Sequence, residues 1–456
     1  MSDPDGMNRF KFSIRSALLN TVQVEPGEGR ALLWSFSYFF ALLCSYYIIR
    51  PMRDEMGILG GVENLQWLFT GTLLVMTVAI PLFGWISSSF PRRQFLPYVY
   101  LFFIVMLVLF YFLLDRQVAH VYVARAFFIW ASVFNLFVVS VFWSFMADLY
   151  SNTQAHRLFG FIAAGGTVGA LTGPALAALL VQPFGAKNLL LVSAVFLLWA
   201  IVCIAKLSVW SATNARVKDE TIAQQGENQQ EEQQEVLLGG GIWSGITMVM
   251  RSPYLLGICL LMLLFTTLAT FLYFMQAQII RDAFADSAQR TAVFASIDLA
   301  VNGLTLLTQI FLTSRLIKWF GLAAVLAIIP VLLAIGFTIL GLSPMLGVLL
   351  VVQVIRRAGN YAVMRPAREM LYVVLSREEK YKAKNFIDTV VYRTGDAVSA
   401  WVYAGMRSVG VSLSTIALLA VPLALVWAWV AFGLGRQQAK IAENKKCFDQ
   451  ALKMRR

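Results

Sequence analysis

Histidine is nearly missing from this 456-residue chain, which has only His120 and His156, both near the ends of apolar runs. That scarcity removes the commonest general base and metal ligand from consideration. Cysteine is also sparse. Cys44, Cys203 and Cys259 sit in apolar runs and Cys447 near the end, with no disulfide or metal spacing, so core packing is the role expected of the first three. No glycine-rich phosphate loop with its lysine and no nucleophile elbow occurs. These absences argue against an enzyme, and neither a cofactor nor a metal is expected. Charged residues make up only 14% of the chain, against about 25% in soluble domains. The scarcer sign is negative: 25 acidic against 37 basic residues, a net charge of +12. No short apolar stretch with a small-residue cleavage site opens the chain, so no cleavable signal is expected.

Apolar residues are abundant, at 59%. They fall into twelve runs of about the 20 residues that span a bilayer: 31–53, 66–89, 95–114, 120–148, 157–182, 187–208, 254–279, 290–315, 320–342, 345–370, 383–408 and 412–435. Unpaired backbone is not tolerated in lipid, and no alternating barrel pattern appears, so the expected class is an all-α integral membrane protein of twelve transmembrane helices. Lysine and arginine collect on one side of these runs: Arg9, Lys11, Arg15, Arg30, Arg92, Arg93, Arg157, Arg315, Lys318, the Arg377–Lys384 cluster and the tail from Arg436. The other side has Arg116, Lys187, Arg281, Arg290 and Arg407. The positive-inside rule then puts both termini in the cytoplasm of a bacterial inner membrane. The net charge belongs to loops beside an anionic leaflet and calls for no nucleic-acid partner.

The stretch from Ser211 to Glu235, with its glutamine- and glutamate-rich centre, lacks apolar periodicity and reads as a flexible linker. It divides the chain into a cytoplasmic segment (1–30), a six-helix half (31–208), a linker (209–253), a second six-helix half (254–435) and a basic tail (436–456). The turn between the second and third runs of each half has a similar pattern, Gly84 to Arg93 in the first and Ser314 to Gly321 in the second. Both resemble the loop signature of the major facilitator superfamily, with Ser88 and Lys318 where that signature has an acid. In the fifth run Gly160, Gly169 and Gly173-Pro174 resemble the glycine-rich antiporter motif of the same superfamily. Small residues four apart let helices approach closely, with or without exchange.

Eight arginines lie inside the apolar runs: Arg50, Arg53, Arg125, Arg356, Arg357, Arg365, Arg368 and Arg393. Facing lipid at mid-bilayer they would cost roughly 20 kcal/mol together, so they must face a wet or paired interior. Fewer acids accompany them (Asp54, Asp298, Glu369, Asp388, Asp396), so a net-positive interior suited to an anion is expected. Arg50 and Arg53 share a helical face across Pro51. Arg357 shares one with Gln353 and Tyr361, which makes Arg357 the ligand candidate and Arg356 the structural one. Arg393 is spaced to pair with Asp396. The candidate anion site is thus Arg50, Arg53, Gln353, Arg357, Tyr361 and Arg393, with Asp298 and Asp388 as carboxylates that could carry a proton. Arg365 and Arg368 are placed for snorkelling or gating.

Three stretches, YYIIRPMRDEMG (46–57), FWSFMADLYSNTQAHRLFGFIAAGG (142–166) and EEKYKAKNFIDTVVYRTGDA (378–397), resemble the ATP/ADP translocase family, a branch related to the major facilitators. The resemblance runs along most of the chain. It implies a twelve-helix carrier that exchanges nucleotides or related phosphorylated anions, with the family's basic first-span residue at Arg53 and its later charged stretch at Lys382, Lys384 and Asp388. Three departures bear on the substrate. The Thr270–Gln278 stretch lacks the family's seventh-span acid, Asp396 stands where a lysine is expected, and the first-span lysine is arginine.

The leading expectation is an alternating-access secondary transporter of a small anionic solute, favoured as a monomer, with membrane lipid as its other partner. A proton-coupled exporter of drugs or amphipathic, lipid-like compounds is the alternative transporter. A non-transporting membrane sensor or scaffold is the alternative of another class.

Overall fold

The computed structural model describes residues 24–25, 27–89, 92–116, 120–224 and 242–454. Most of the expected N-terminal segment, Pro91 of the first turn motif and the centre of the expected linker lie outside the described residues. Every regular element described is helical, as a chain must be that satisfies its backbone polar groups without water.

In chain order the helices are α1 (Gly29–Leu59), α2 (Leu65–Ser89), α3 (Arg92–Asp115), α4 (His120–Leu149), α5 (Asn152–Phe184), α6 (Asn188–Gln224) and the short α7 (Ile242–Arg251). They continue as α8 (Pro253–Ala283), α9 (Ser287–Phe311), α10 (Thr313–Leu342), α11 (Leu346–Gly359), α12 (Arg365–Leu371), α13 (Arg377–Phe386), α14 (Tyr392–Ser408) and α15 (Leu413–Met454). Eleven helices among the described residues are long and apolar enough to cross a membrane, the span Leu346–Leu371 combining α11, a π-helical turn and α12. The eleventh expected span, 383–408, is helical throughout, but Lys384, Asp388, Arg393, Asp396 and Arg407 make it the most polar. Helix α6 runs to Gln224, beyond the expected end of its span at 208, and α15 carries the tail in helical form to Met454. The second turn motif, Ser314 to Gly321, forms the opening turns of α10. Gly321, at φ +72°, breaks α10 where only glycine adopts the left-handed backbone without strain.

The chain forms two compact units. The first comprises 1–52, 78–119 and 130–232, and the second 53–77, 120–129 and 233–456. In the first unit α1 lies against α5 through glycine. A Cβ on Gly169 would run into the Phe40 carbonyl oxygen, and one on Gly173 would come within 2.7 Å of Tyr47 Cβ and 2.8 Å of the Cys44 oxygen. Gly165, in the same four-residue register though not among the expected glycines, and Gly166 press equally on Phe36 and Phe39, whereas Gly160 has open space beside it. Neutral polar pairs complete this packing: Tyr38 with Tyr100 at 2.6 Å, Ser45 with Ser193 at 2.7 Å and Ser35 with Tyr150 at 2.9 Å.

In the second unit α8 packs on α14 and α15, α10 on α15 and α11, and α9 on α11. The end of α1 from Arg53, the start of α2 and the start of α4 belong to this same unit. Arg125 of α4, for example, donates Nε to the Gly60 carbonyl at 2.8 Å.

Candidate functional site

Two π-helical turns interrupt the tenth and eleventh spans of the second unit, at Asn360–Met364 and Ile387–Val391. A π-turn adds one residue to the helix and frees a carbonyl, a distortion common at functional sites. Around the first, the Thr313 hydroxyl donates to the Ala362 carbonyl at 2.8 Å and Gln309 Nε2 to that of Tyr361 at 3.4 Å. The distortion is therefore supported from neighbouring helices.

The charges on these spans sort into locked pairs and one looser cluster. Arg357 is buried and donates to Asp298, also buried, on α9. Arg368 lies 3.2 Å from Asp388, and Lys384 lies 2.6 Å from Glu369. A tighter lock joins Arg290 to Glu55: Nε and Nη2 reach the two carboxylate oxygens at 2.8 and 2.7 Å, a forked geometry that suits guanidinium and carboxylate. Arg290 Nη1 also donates to the carbonyls of Phe284 and Ala285, at 3.0 and 3.1 Å. Arg290, expected in an external loop, is thus buried in α9 with its partner on α1.

The cluster centres on Asp396 of α14. The positive charges of Arg393, Arg356 and Arg53 all act on this half-buried carboxylate. Its hydrogen bond comes from the Thr270 hydroxyl of α8, at 3.4 Å. The i, i+3 spacing predicts a direct pair with Arg393; the Arg393 guanidinium lies instead 5.7 Å from the centre of the Tyr392 ring. Arg356 is held through a chain of amides, its Nε donating to Gln353 Oε1 at 2.9 Å while Gln353 Nε2 donates to Gln276 of α8. Arg356 also borders an apolar groove lined by Ile329, Gly336, Ile339 and Val352. Arg53 stacks on the Phe128 ring at 4.3 Å and lies 3.5 Å from Asp54, which accepts from the Tyr273 hydroxyl at 3.0 Å. Three guanidiniums against Asp396 and Asp54 leave the cluster net positive.

Helix α8 organises much of this arrangement. Thr270, Tyr273 and Gln276 recur every third residue and so lie along one side of the helix. Each meets a different polar group: Asp396, Asp54 and Gln353. This is the stretch that lacks the acid of the resembled family; hydroxyl and amide groups occupy it here.

The structure therefore sets Arg53 and Arg393 of the expected anion site around Asp396, with Gln353 joined to them through Arg356; Tyr361 lies in the first π-turn, its carbonyl accepting from Gln309. Arg357 is set against Asp298, and Arg356 beside Gln353 with its charge acting on Asp396. Asp298 and Asp388, expected as proton carriers, are each committed to an arginine. Arg50 belongs to the first unit, with its guanidinium 5.6 Å from the Tyr47 ring. Arg365 is exposed, as snorkelling requires. Asp396, Thr270, Gln276 and the Glu55–Arg290 pair were absent from the expected set. The period-three polar stripe on α8 is the sequence signal that could have pointed to Thr270 and Gln276.

Among curated proteins, the chain is similar to ADP,ATP carrier protein 1 of Chlamydia muridarum. The two are 24% identical over 341 residues, which is 67% of this chain and 63% of the carrier. It is also 29% identical to ADP,ATP carrier protein 2 of Chlamydia pneumoniae over 150 residues, 32% of this chain and 25% of that carrier. The chain thus spans less than two thirds of the length of these relatives. Its fold is shared by the nucleoside transporter NupG (TM-score 0.61, 13% identity, 89% of this chain and 99% of that one). A bacterial homologue of the human lysosomal transporter Spinster, inward-facing and unoccupied, matches with a TM-score of 0.57 and 13% identity, over 92% of this chain and 99% of that one. At such identities these structures establish the fold alone. The family model of the Major Facilitator Superfamily, whose members are secondary transporters and not enzymes, matches residues 32–381. With that match over most of its length, this multi-pass membrane protein belongs to the Major Facilitator Superfamily.

Proposed function

We propose that this transporter carries a small anionic solute by alternating access, and that Arg53, Arg356 and Arg393 form its anion-binding cluster. The observation that carries the reading is that three guanidiniums from three helices of a membrane-spanning bundle act on one carboxylate, Asp396, without pairing directly with it. Charge within membrane spans is expensive and characteristically lies along solute or ion pathways. Arginine's planar fork suits phosphate or carboxylate groups, each charged contact being worth about 1.5–3 kcal/mol. The similarity to ADP,ATP carriers supports a nucleotide or related phosphorylated solute. Thr270, Tyr273 and Gln276 in the stretch without the family's acid favour a solute other than the ATP/ADP pair, sugar phosphates included. Both termini are proposed to face the cytoplasm from a bacterial inner membrane, on the strength of the lysine and arginine distribution.

The test is a thermal-shift panel on purified protein with nucleotides, sugar phosphates, dicarboxylates and lipophilic cations, followed by uptake of the stabilising solute into proteoliposomes. Stabilisation by at least one anion class is expected. Stabilisation by cations alone overturns the reading in favour of a drug exporter.

A further inference from the structure

We propose that Asp396 is the carrier's internal counter-anion and takes up one proton when the anionic group of the solute arrives on the same arginines, so that solute and proton bind together. The inference rests on the anion-carrier reading above and adds the coupling ion to it.

The geometry separates Asp396 from the other membrane carboxylates. Asp298, Asp388 and Glu55 each make an ion pair with an arginine. Protonating any of them would strand a guanidinium in a low-dielectric setting, a loss of about 3–5 kcal/mol for a broken buried pair. Among the described residues Asp396 makes no such pair, and its hydrogen bond is the long one from Thr270. Its negative charge is balanced by Arg393 of its own helix, Arg356 of α11 and Arg53 of α1, all acting at a distance; Thr270 of α8 and Tyr392 complete its surroundings. These arginines are also the cluster that would hold the solute.

A phosphate or carboxylate group entering the cluster therefore does two things to Asp396. It takes over the guanidiniums that balanced the carboxylate, and it brings a like charge close, which disfavours ionisation. Uptake of one proton from hydronium removes both penalties: one O–H bond forms on a carboxylate oxygen as one breaks in hydronium, leaving water, and nothing is oxidised or reduced. The neutral acid stays within reach of Thr270, whose hydroxyl both donates and accepts. Solute release reverses the step, as the freed arginines favour the carboxylate again.

The experiment is isothermal titration calorimetry of the full-length protein with ADP, glucose 6-phosphate and citrate as probes, in buffers of different ionisation enthalpy. For at least one probe, wild type is expected to take up about one proton more per bound anion than Asp396→Asn; this difference cancels the probe's own titration. Wild-type affinity should rise as pH falls, by up to about tenfold per pH unit, the limit for one linked proton. Folded Asp396→Asn should bind at least as tightly with no such dependence. Asp396→Glu keeps a carboxyl and must keep the proton uptake, whether or not Asp396→Asn folds. Equal uptake in wild type and Asp396→Asn, weaker binding by the folded Asn variant, or loss of uptake in Asp396→Glu overturns the inference and leaves the anion reading standing. Failure of all three probes to bind overturns both.

Discussion

Both units bring helices together at glycines, such as Gly169 on Phe40 in the first and Gly435 on Ala323 in the second, but the second adds buried ion pairs where the first uses neutral hydroxyl pairs. Among the described residues of the first unit, the contacts within the bundle are of the type Gly169 on the Phe40 carbonyl and Ser45 on Ser193. Those of the second include Glu55 on Arg290, Asp298 on Arg357 and Asp388 on Arg368. Small-residue contacts allow one arrangement and hold it through close approach. Ion pairs are different: intact they are tolerated, half-broken they are costly, and an entering charge can replace one member. The proposed anion cluster, Arg53, Arg356 and Arg393, lies in the second unit.

The largest expected effect comes from half-breaking the tightest lock. Glu55→Ala should destabilise the fold by about 3–5 kcal/mol, because it leaves the Arg290 guanidinium buried without its carboxylate. Replacing both members with apolar residues of similar volume should cost markedly less than the single change. Denaturant unfolding of the two single variants and the double variant measures this, and additive costs would show that the pair is not a closed unit. In the first unit, Gly169→Ala should cost about 1–3 kcal/mol through overpacking against the Phe40 carbonyl, and Gly160→Ala almost nothing. Equal effects at the two glycines would remove the packing role assigned to α5. Ser193→Ala should cost about 1 kcal/mol, the worth of a neutral buried hydrogen bond.

The smallest effect is at the edge of the first unit, where charge does appear. Burial works against ionisation of Glu28, but the Glu25 backbone N–H, the Gln154 amide and Arg157 outweigh it and hold the carboxyl below its ordinary value of 4.5. A lowered folded-state value contributes stability above the unfolded value and loses it as pH falls through the folded one. Glu28→Gln should therefore lower the melting temperature slightly at pH 7, and the gap to wild type should close on acidification below about pH 4.5. A gap that widens on acidification would contradict the pairing.

The span pattern was legible because a bilayer imposes length and composition on every crossing. Only the segment at 383–408 departs from it, and its charges explain why. Gly169 and Gly173 were legible as close-packing positions, and Gly165, four residues before Gly169, obeys the same spacing; Gly166 lies off that register and was not legible. The arginines were legible as a group, for the cost argument depends on residue type and depth alone. Their division between locks and ligand cluster was not. Whether Arg356 or Arg357 meets a carboxylate depends on which face of α11 lies against α9, and adjacent residues differ by about 100° in direction. Likewise the i, i+3 spacing of Arg393 and Asp396 permits a pair but does not compel one once Tyr392 and Thr270 offer other contacts.

In the proposed site Arg356 reads the solute, while Arg357, paired with Asp298, holds the fold. The direct measurement is the rise in melting temperature produced by the best-stabilising anion of the panel, compared in wild type, Arg356→Gln and Arg357→Gln. Arg356→Gln should keep a near-normal melting temperature without solute and lose most of the anion-induced rise, corresponding to about ten- to hundredfold weaker binding for one lost charged contact. Arg357→Gln should unfold at a clearly lower temperature, with Asp298 left uncompensated, yet keep the anion-induced rise. The reverse outcome, a stable Arg357→Gln that no longer responds to the anion beside an Arg356→Gln that does, would contradict the assignment.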